Sequence, residues 1–389
     1  MKNFIYDVPT KVYFGPNQIE NNLSKELKQF GSKVLLVYGS GSIKKIDLYD
    51  KIMNELKNSN IQIFELSGIE PNPRHTSVNK GAQICKEENI DVILAVGGGS
   101  VIDATKFMAA GRYYEGDTWD FLIGKAKFTK ALPIVTILTL SATGSEMDTG
   151  GVITNTQTKE KLGKANPILR PKVSFLDPTN TYSVSKYQTA CGSADILSHI
   201  IEVYFCTYNT MYMLDTIMEG LMKTVIKYAP IAINQPNNYE ARANLMWTSS
   251  WAINGLVSQD KTHAWSCHPI EHELSAFYDI THGLGLAILT PKWMKHVLSN
   301  NTVDKFYQFG VNVFDIDKNL DKMEVAKKSI QKLESFLFKD LNLSNNLTEL
   351  NIDSSHFETM AERITKNGPL KGFVDLNKND ILEIYNACL

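Results

Sequence analysis

Apolar and polar positions follow two different rhythms along this chain. In the first half, "KVLLVYG" (33–39) and "IDVILAVGGG" (90–99) are apolar runs that stop at glycine, "IQIFEL" (61–66) alternates, and "ALPIVTILTL" (131–140) is short and β-branched, and all four read as strands. Between them, 48–60 and 76–89 carry the helical period. Alternating strands and helices predict a parallel sheet covered by helices on both faces. The second half changes character. Of 24 glycines only 7 lie beyond residue 200, so turn punctuation thins out. Long amphipathic runs follow at 186–207, 211–228, 238–258, 283–298, 322–338, 353–366 and 378–387. "FLDPTN" (175–180) marks the expected break. Residues 1–180 are predicted to form an α/β domain and 181–389 an all-helical one.

Composition narrows the function classes. The chain has 389 residues, is 43% hydrophobic and 21% charged, and carries a net charge of −2. A nucleic-acid binder would show a basic excess, and a disordered chain would lack this much apolar material. No apolar run approaches the roughly 18 residues a membrane helix needs. The N-terminal "MKNFIYDVPTKVYFG" has no apolar signal-peptide core. The five cysteines are odd in number, scattered and without a CxxC pair, which fits a reducing cytoplasm.

Three loops carry candidate cofactor chemistry. "VILAVGGGSVIDATK" (92–106) is a strand, then Gly97, Gly98 and Gly99, then a helix start. Ser100 is placed to cap that helix, with Asp103 completing a box-like pattern. Backbone without Cβ, beside the positive end of a helix, favours a pyrophosphate. A tight turn without ligand explains the same glycines equally well. The pattern is neither a P-loop nor GxGxxG. "YGSGSIKK" (38–45) places Gly39, Ser40, Gly41 and Ser42 ahead of two lysines, which suits an adenosine phosphate or a plain turn. "TLSATGSEMD" (139–148) follows a core strand with small hydroxyl residues, as a loop lining a cofactor crevice would.

A cation site is suggested by the histidines. Four of the eight fall within "HAWSCHPIEHELSAFYDITH" (263–282). Asp195 and His199 are four residues apart on one predicted helix, and His268 and His272 repeat that spacing on another. His282 follows ten residues later. Imidazoles plus a carboxylate on rigid elements suit a divalent cation, although a lone histidine is more often a satisfied core or surface residue. His263 has the weakest case, and His75, His296 and His356 have no supporting pattern.

These motifs, in this order and over nearly the full length, resemble the iron-containing (group III) alcohol dehydrogenase family, in particular its butanol dehydrogenase-like branch. The resemblance runs through "PTKVYFG" (9–15), "NPR" (72–74), "GGGSVIDATK", "TLSATGSEMD", "RPKVSFLDP" (170–178), "GSADILSH" (192–199) and "HPIEHELSAFYDITHG" (268–283). It implies a Rossmann-like α/β domain followed by a helical metal domain, the dehydroquinate synthase-like fold. It implies Asp195, His199, His268 and His282 as ligands of Fe(II) or Zn(II), and His272 as a proton-relaying residue near the nicotinamide. It assigns Gly97, Gly98, Gly99 and Ser100 to the pyrophosphate, Thr139, Leu140 and Thr143 to the loop against the cofactor, and Lys161 to the ribose. Asp103 lies in the same motif. NAD-preferring members carry an aspartate where this chain has Gly39, so NADP(H) is expected to be favoured and NAD(H) admitted.

The expected chemistry is hydride exchange between a nicotinamide and a primary alcohol or aldehyde, at a metal facing the coenzyme across an interdomain cleft. Trp265, Phe277 and Tyr278 suggest an apolar pocket for a short aliphatic substrate. A homodimer or larger assembly is expected, without nucleic acid or membrane. The competing readings are a polyol dehydrogenase or a dehydroquinate synthase-like lyase on the same fold, and a non-catalytic metal- or nucleotide-binding protein.

Overall fold

A computed structural model describes residues 3–207, 211–262 and 265–389. The chain folds into two compact units. One comprises Asp7–Val184 with Pro236–Ser250, and the other Met1–Tyr6, Ser185–Gln235 and Trp251–Leu389.

The first unit runs β1 (Lys11–Phe14), α1 (Gln18–Lys28), β2 (Lys33–Tyr38), α2 (Ser42–Lys45), α3 (Leu48–Asn58), β3 (Gln62–Leu66), α4 (His75–Glu87) and β4 (Val92–Gly97). It continues with α5 (Gly99–Gly111), α6 (Trp119–Leu122), β5 (Ile134–Leu138), β6 (Gly150–Asn155), β7 (Glu160–Ala165) and β8 (Val173–Leu176). Six strands form one sheet in the order β1-β8-β5-β4-β2-β3, with parallel pairing throughout. In β2 the side chains alternate between two cores. Val34 and Leu36 join Ile52 and Leu56 of α3 on one face, and Leu35 and Val37 join Val78 of α4 and Ile102 of α5 on the other. Burial on both faces is what makes these strands continuous apolar runs. β6 and β7 form a separate antiparallel hairpin.

The chain reverses direction within the sheet at β2. β3 lies on one side of β2, while β4, β5 and β8 follow outward on the other. The switch point therefore falls between β2 and β4, and in open α/β sheets ligands bind at the carboxyl ends of the strands at such a point. The loops after β2, β4 and β5 are the three singled out from the sequence.

The remaining helices are α7 (Lys186–Tyr204), α8 (Tyr212–Asn234), α9 (Tyr239–Ile253), α10 (Cys267–Tyr278), α11 (His282–Val297), α12 (Val303–Phe314), α13 (Lys322–Ser335), α14 (Phe357–Ile364) and α15 (Lys378–Asn386). Helix α7 is buried from Thr189 to Tyr204 and packs against α8 and α11, with α10 beside α11. Two segments cross the division expected near residue 180. Pro236–Ser250 clusters with the sheet, where Met246 joins its core, and Met1–Tyr6 clusters with the helices.

Candidate metal centre and coenzyme loops

Three helices bring the candidate ligands together. Asp195 and His199 project from the same face of α7, both almost fully buried. His268 sits in the first turn of α10, and His282 opens α11. Asp195 Oδ1 lies 3.6 Å from His199 Nε2, 3.7 Å from His282 Nε2 and 4.0 Å from His268 Nε2. The rings of His199 and His268 stack at 4.8 Å between centroids.

The close approach of the helices is written in two glycines. A Cβ at Gly283 would fall 2.0 Å from the Cys191 carbonyl oxygen on α7, and one at Gly285 would fall 2.8 Å from Glu271 Cγ on α10. Without side chains there, α11 can press its first turn against both helices and carry His282 to Asp195.

Two buried glutamates that the sequence reading did not single out complete this arrangement. Glu202 Oε1 is 2.5 Å from His268 Nδ1, and Glu271 Oε2 is hydrogen-bonded to His282 Nδ1. Both are fully buried, and Ser275 Oγ donates to Glu271 Oε1 at 2.5 Å. A carboxylate on one ring nitrogen turns the other toward the ligand side, the usual arrangement around a bound metal. Both glutamates were visible in the sequence as acids within apolar or histidine-rich helix. Glu202 lies three residues after His199, and Glu271 lies between His268 and His272.

The donor set fits a divalent cation. Asp195 Oδ1 and His268 Nε2 are buried and have no hydrogen-bond partner, the state expected of groups meant for an ion. One carboxylate oxygen with three imidazoles is a mixed hard–borderline set that suits Fe(II) and also Zn(II). Burial pushes His199 down to about 4, so its ring is a neutral donor at pH 7. Burial also opposes protonation of His268, but the carboxylates of Glu202, Asp195 and Glu271 together outweigh it and raise that pKa.

His272 lies one turn beyond His268 on α10, half-buried, its ring 5.5 Å from that of His282 and 6.2 Å from that of His268. It borders the cluster around Asp195. Of the three aromatics expected at the site, only Trp265 is there, its ring 4.9 Å from His268 and 5.9 Å from His199. Phe277 and Tyr278 instead pack on His356, with Arg363 over the Phe277 ring, because the far end of α10 faces that neighbouring segment. His263 lies outside the described residues. His75 packs on Trp119, and His296 meets Asp380 and Glu383.

In the sheet-bearing unit the candidate coenzyme loops pack on one another. Thr139 N donates to Gly97 O at 3.0 Å. A Cβ at Gly99 would lie 2.3 Å from Thr143 Oγ1, one at Gly97 2.5 Å from Val101 Cγ2, and one at Gly98 3.2 Å from Leu140 Cβ. Helix α5 starts directly after, and the N–H groups of a first turn lack intrahelical acceptors. Ser100 does not cap it. The N-cap is Gly98, with no side-chain bond, because the helix begins two residues earlier than expected.

Nor does Asp103 complete a capping box. Its carboxylate accepts from Ser145 Oγ at 2.5 Å and Val152 N at 2.8 Å, tying α5 to the 139–148 loop and β6. Lys106, fully buried one turn on, reaches Ser145 Oγ at 2.8 Å, Gly150 O at 2.5 Å and Asp148. After β2, Gly41 takes the left-handed backbone (φ 112°) that opens α2. A Cβ built at Gly39 would lie in ordinary contact, 3.5 Å from Ile69 O and 4.0 Å from Val101 Cγ2, and Ser40 and Ser42 are exposed. Lys44 lies over the rings of Tyr38 and Tyr49. Lys161 is buried on β7, opposite Thr154.

Residues 9–178 match the model of iron-containing alcohol dehydrogenases, and residues 189–389 match the C-terminal model of the same family. The chain belongs to the iron-containing alcohol dehydrogenase family. It is 51% identical to NADH-dependent butanol dehydrogenase A of Clostridium acetobutylicum, over 99% of both chains. It is 32% identical to the NADPH-dependent aldehyde reductase YqhD of Escherichia coli, over 95% of this chain and 94% of that one. Among solved structures, NADH-dependent butanol dehydrogenase A of Thermotoga maritima superposes with a TM-score of 0.95 at 38% identity, covering 100% of this chain and 99% of the other. An iron-containing alcohol dehydrogenase is an oxidoreductase, and the parallel sheet and helical C-terminal region expected of one are both present.

Proposed function

We propose that this chain is a metal-dependent, nicotinamide-linked dehydrogenase that interconverts short primary aliphatic alcohols and their aldehydes. The observation that carries the proposal is the convergence of three imidazole Nε2 atoms on Asp195 Oδ1, within 4.0 Å. Asp195, His199, His268 and His282 would hold Fe(II), and the same donors accommodate Zn(II). When bound, the ion supplies a Lewis acid for an alcohol or aldehyde oxygen. His272 exchanges the hydroxyl proton at a ring nitrogen, a task suited to imidazole near neutral pH. Trp265, still 37% exposed beside His268 and His199, offers an apolar face to the substrate chain.

Gly97, Gly98, Gly99 and Ser100 would receive the coenzyme pyrophosphate at the start of α5. Thr139, Leu140 and Thr143 shape that loop from below, and Asp103 holds it to the hairpin. The names of the butanol dehydrogenase relatives point to NADH. The absence of a carboxylate over Gly39–Ser42 points to tolerance of a 2′-phosphate. We therefore propose that both NADPH and NADH are accepted. Gly39→Asp, for which there is room, should lower kcat/KM for NADPH at least tenfold and spare NADH. A strong preference for NADH in the unmodified enzyme would overturn this part. A homo-oligomer belongs to the same proposal and is read by light scattering.

The deciding experiment pairs elemental analysis with butanal reduction. Chelator treatment, or Asp195→Asn or His268→Ala, should remove metal and activity together in a folded protein. Full activity in metal-free protein would refute the proposal.

A further inference from the structure

Glu202 holds two things at once. It lies on α7, fully buried, one turn beyond His199. Its Oε2 accepts from the backbone N–H of Ser266 at 2.6 Å and Cys267 at 2.7 Å, with His268 N at 3.4 Å. These are the opening N–H groups of α10, whose own N-cap Ser266 makes no side-chain cap bond. A carboxylate from another helix therefore caps α10. The other oxygen, Oε1, faces His268 Nδ1 at 2.5 Å and also receives Ser198 Oγ at 3.2 Å.

We propose that Glu202 is a positioning residue that locks His268 in the tautomer with its proton on Nδ1, leaving the Nε2 lone pair aimed at the point where Asp195 Oδ1 and the other histidines meet. The inference rests on the metal-centre reading above. Backbone N–H groups can only donate, so Oε2 must remain an acceptor. A carboxylate is an acceptor at both oxygens and can serve the helix end and Nδ1–H together. An amide cannot. In Glu202→Gln the single carbonyl oxygen is claimed by Ser266 N and Cys267 N, which turns the NH₂ toward Nδ1. Nδ1 then becomes the acceptor and the ring proton moves to Nε2. There it occupies the lone pair that a cation needs.

This chemistry separates positioning from capping. If Glu202 only capped α10, the glutamine would still present an oxygen to the backbone donors, and the metal would bind as before. The measurement is Zn(II) affinity of the full chain, stripped and titrated against a chromophoric chelator, beside ¹⁵N-histidine NMR of the stripped protein. Glu202→Gln should bind Zn(II) about 10- to 100-fold more weakly, the range found for such partners of metal-bound histidines. The His268 signal should move from the Nδ1–H to the Nε2–H pattern. Unchanged affinity in the variant, or an unchanged ring pattern, overturns the proposal. The unmodified protein tests it without any variant, since an Nε2–H pattern for His268 there would also overturn it. Should the unmodified chain take up no metal at all, the metal-centre reading fails, while the ring pattern still judges Glu202.

Discussion

Glu146 is a carboxylate with little to support its charge. It is fully buried, Ser250 Oγ donates to one oxygen, and the other has no hydrogen-bond partner. Burial pushes its pKa up to about 7, and Asp103 is raised to about 6 by the same cause. A carboxylate whose folded value is raised burdens the fold increasingly as pH climbs from its unfolded value to its folded one. The penalty is absent below about pH 4, where both states are protonated, and it is complete above pH 7. For Glu146 it is on the order of 3 kcal/mol at most. Glu146→Gln keeps an acceptor for Ser250 and removes the charge. Its melting temperature should fall less between pH 5 and pH 8 than that of the unmodified protein. Equal declines would show that Glu146 is already neutralised by its surroundings. His272→Ala should retain metal while lowering kcat and altering its pH profile. An unchanged profile would remove His272 from proton exchange.

Helix α11 owes its placement to residues that have no side chain to show. Gly283→Ala would drive a methyl group into the Cys191 carbonyl, so α11 must retreat from α7 and take His282 with it. Overpacking of this kind destabilises by about 1–3 kcal/mol, and a displaced ligand should lower metal affinity about tenfold or more. Isothermal titration with Zn(II) checks this, and wild-type affinity would mean that the helix contact can relax. The strands β2, β4 and β5 were legible within a few residues because burial on both faces makes them unbroken apolar runs, and the edge strand β3 was legible from its alternation. The Asp195/His199 and His268/His272 pairs were legible because helical spacing puts each pair on one face. Other features were not. The β6–β7 hairpin escaped because β7, "EKLGKA", is exposed over its last three residues and does not alternate cleanly. Helix α12 lies outside the predicted runs, although its buried Phe306, Phe309, Gly310 and Val313 keep the helical spacing. Helix α8 runs on through Pro230 to Asn234, six residues beyond its expected end at 228. The role of Glu202 could not be read locally, because the backbone it serves lies more than 60 residues away.

The family models divide the chain at residues 178–189, whereas its compact units do not follow a single division. Pro236–Ser250 returns to the sheet-bearing unit, bringing Met246 to its core, Trp247 against Phe14 and Ser250 to Glu146. Residues 7–184 alone therefore lack part of their own interior. Exchanging coenzyme preference by transplanting the N-terminal half of a relative would join a foreign sheet to a resident α9, and mismatched packing at Met246 and Ser250 should lower the melting temperature of such a chimaera. Grafting both stretches, 7–184 and 236–250, should restore it. In recombination terms the sheet-bearing unit of this enzyme is a discontinuous cassette, and a library built with one crossover would discard functional hybrids for want of a fifteen-residue insert.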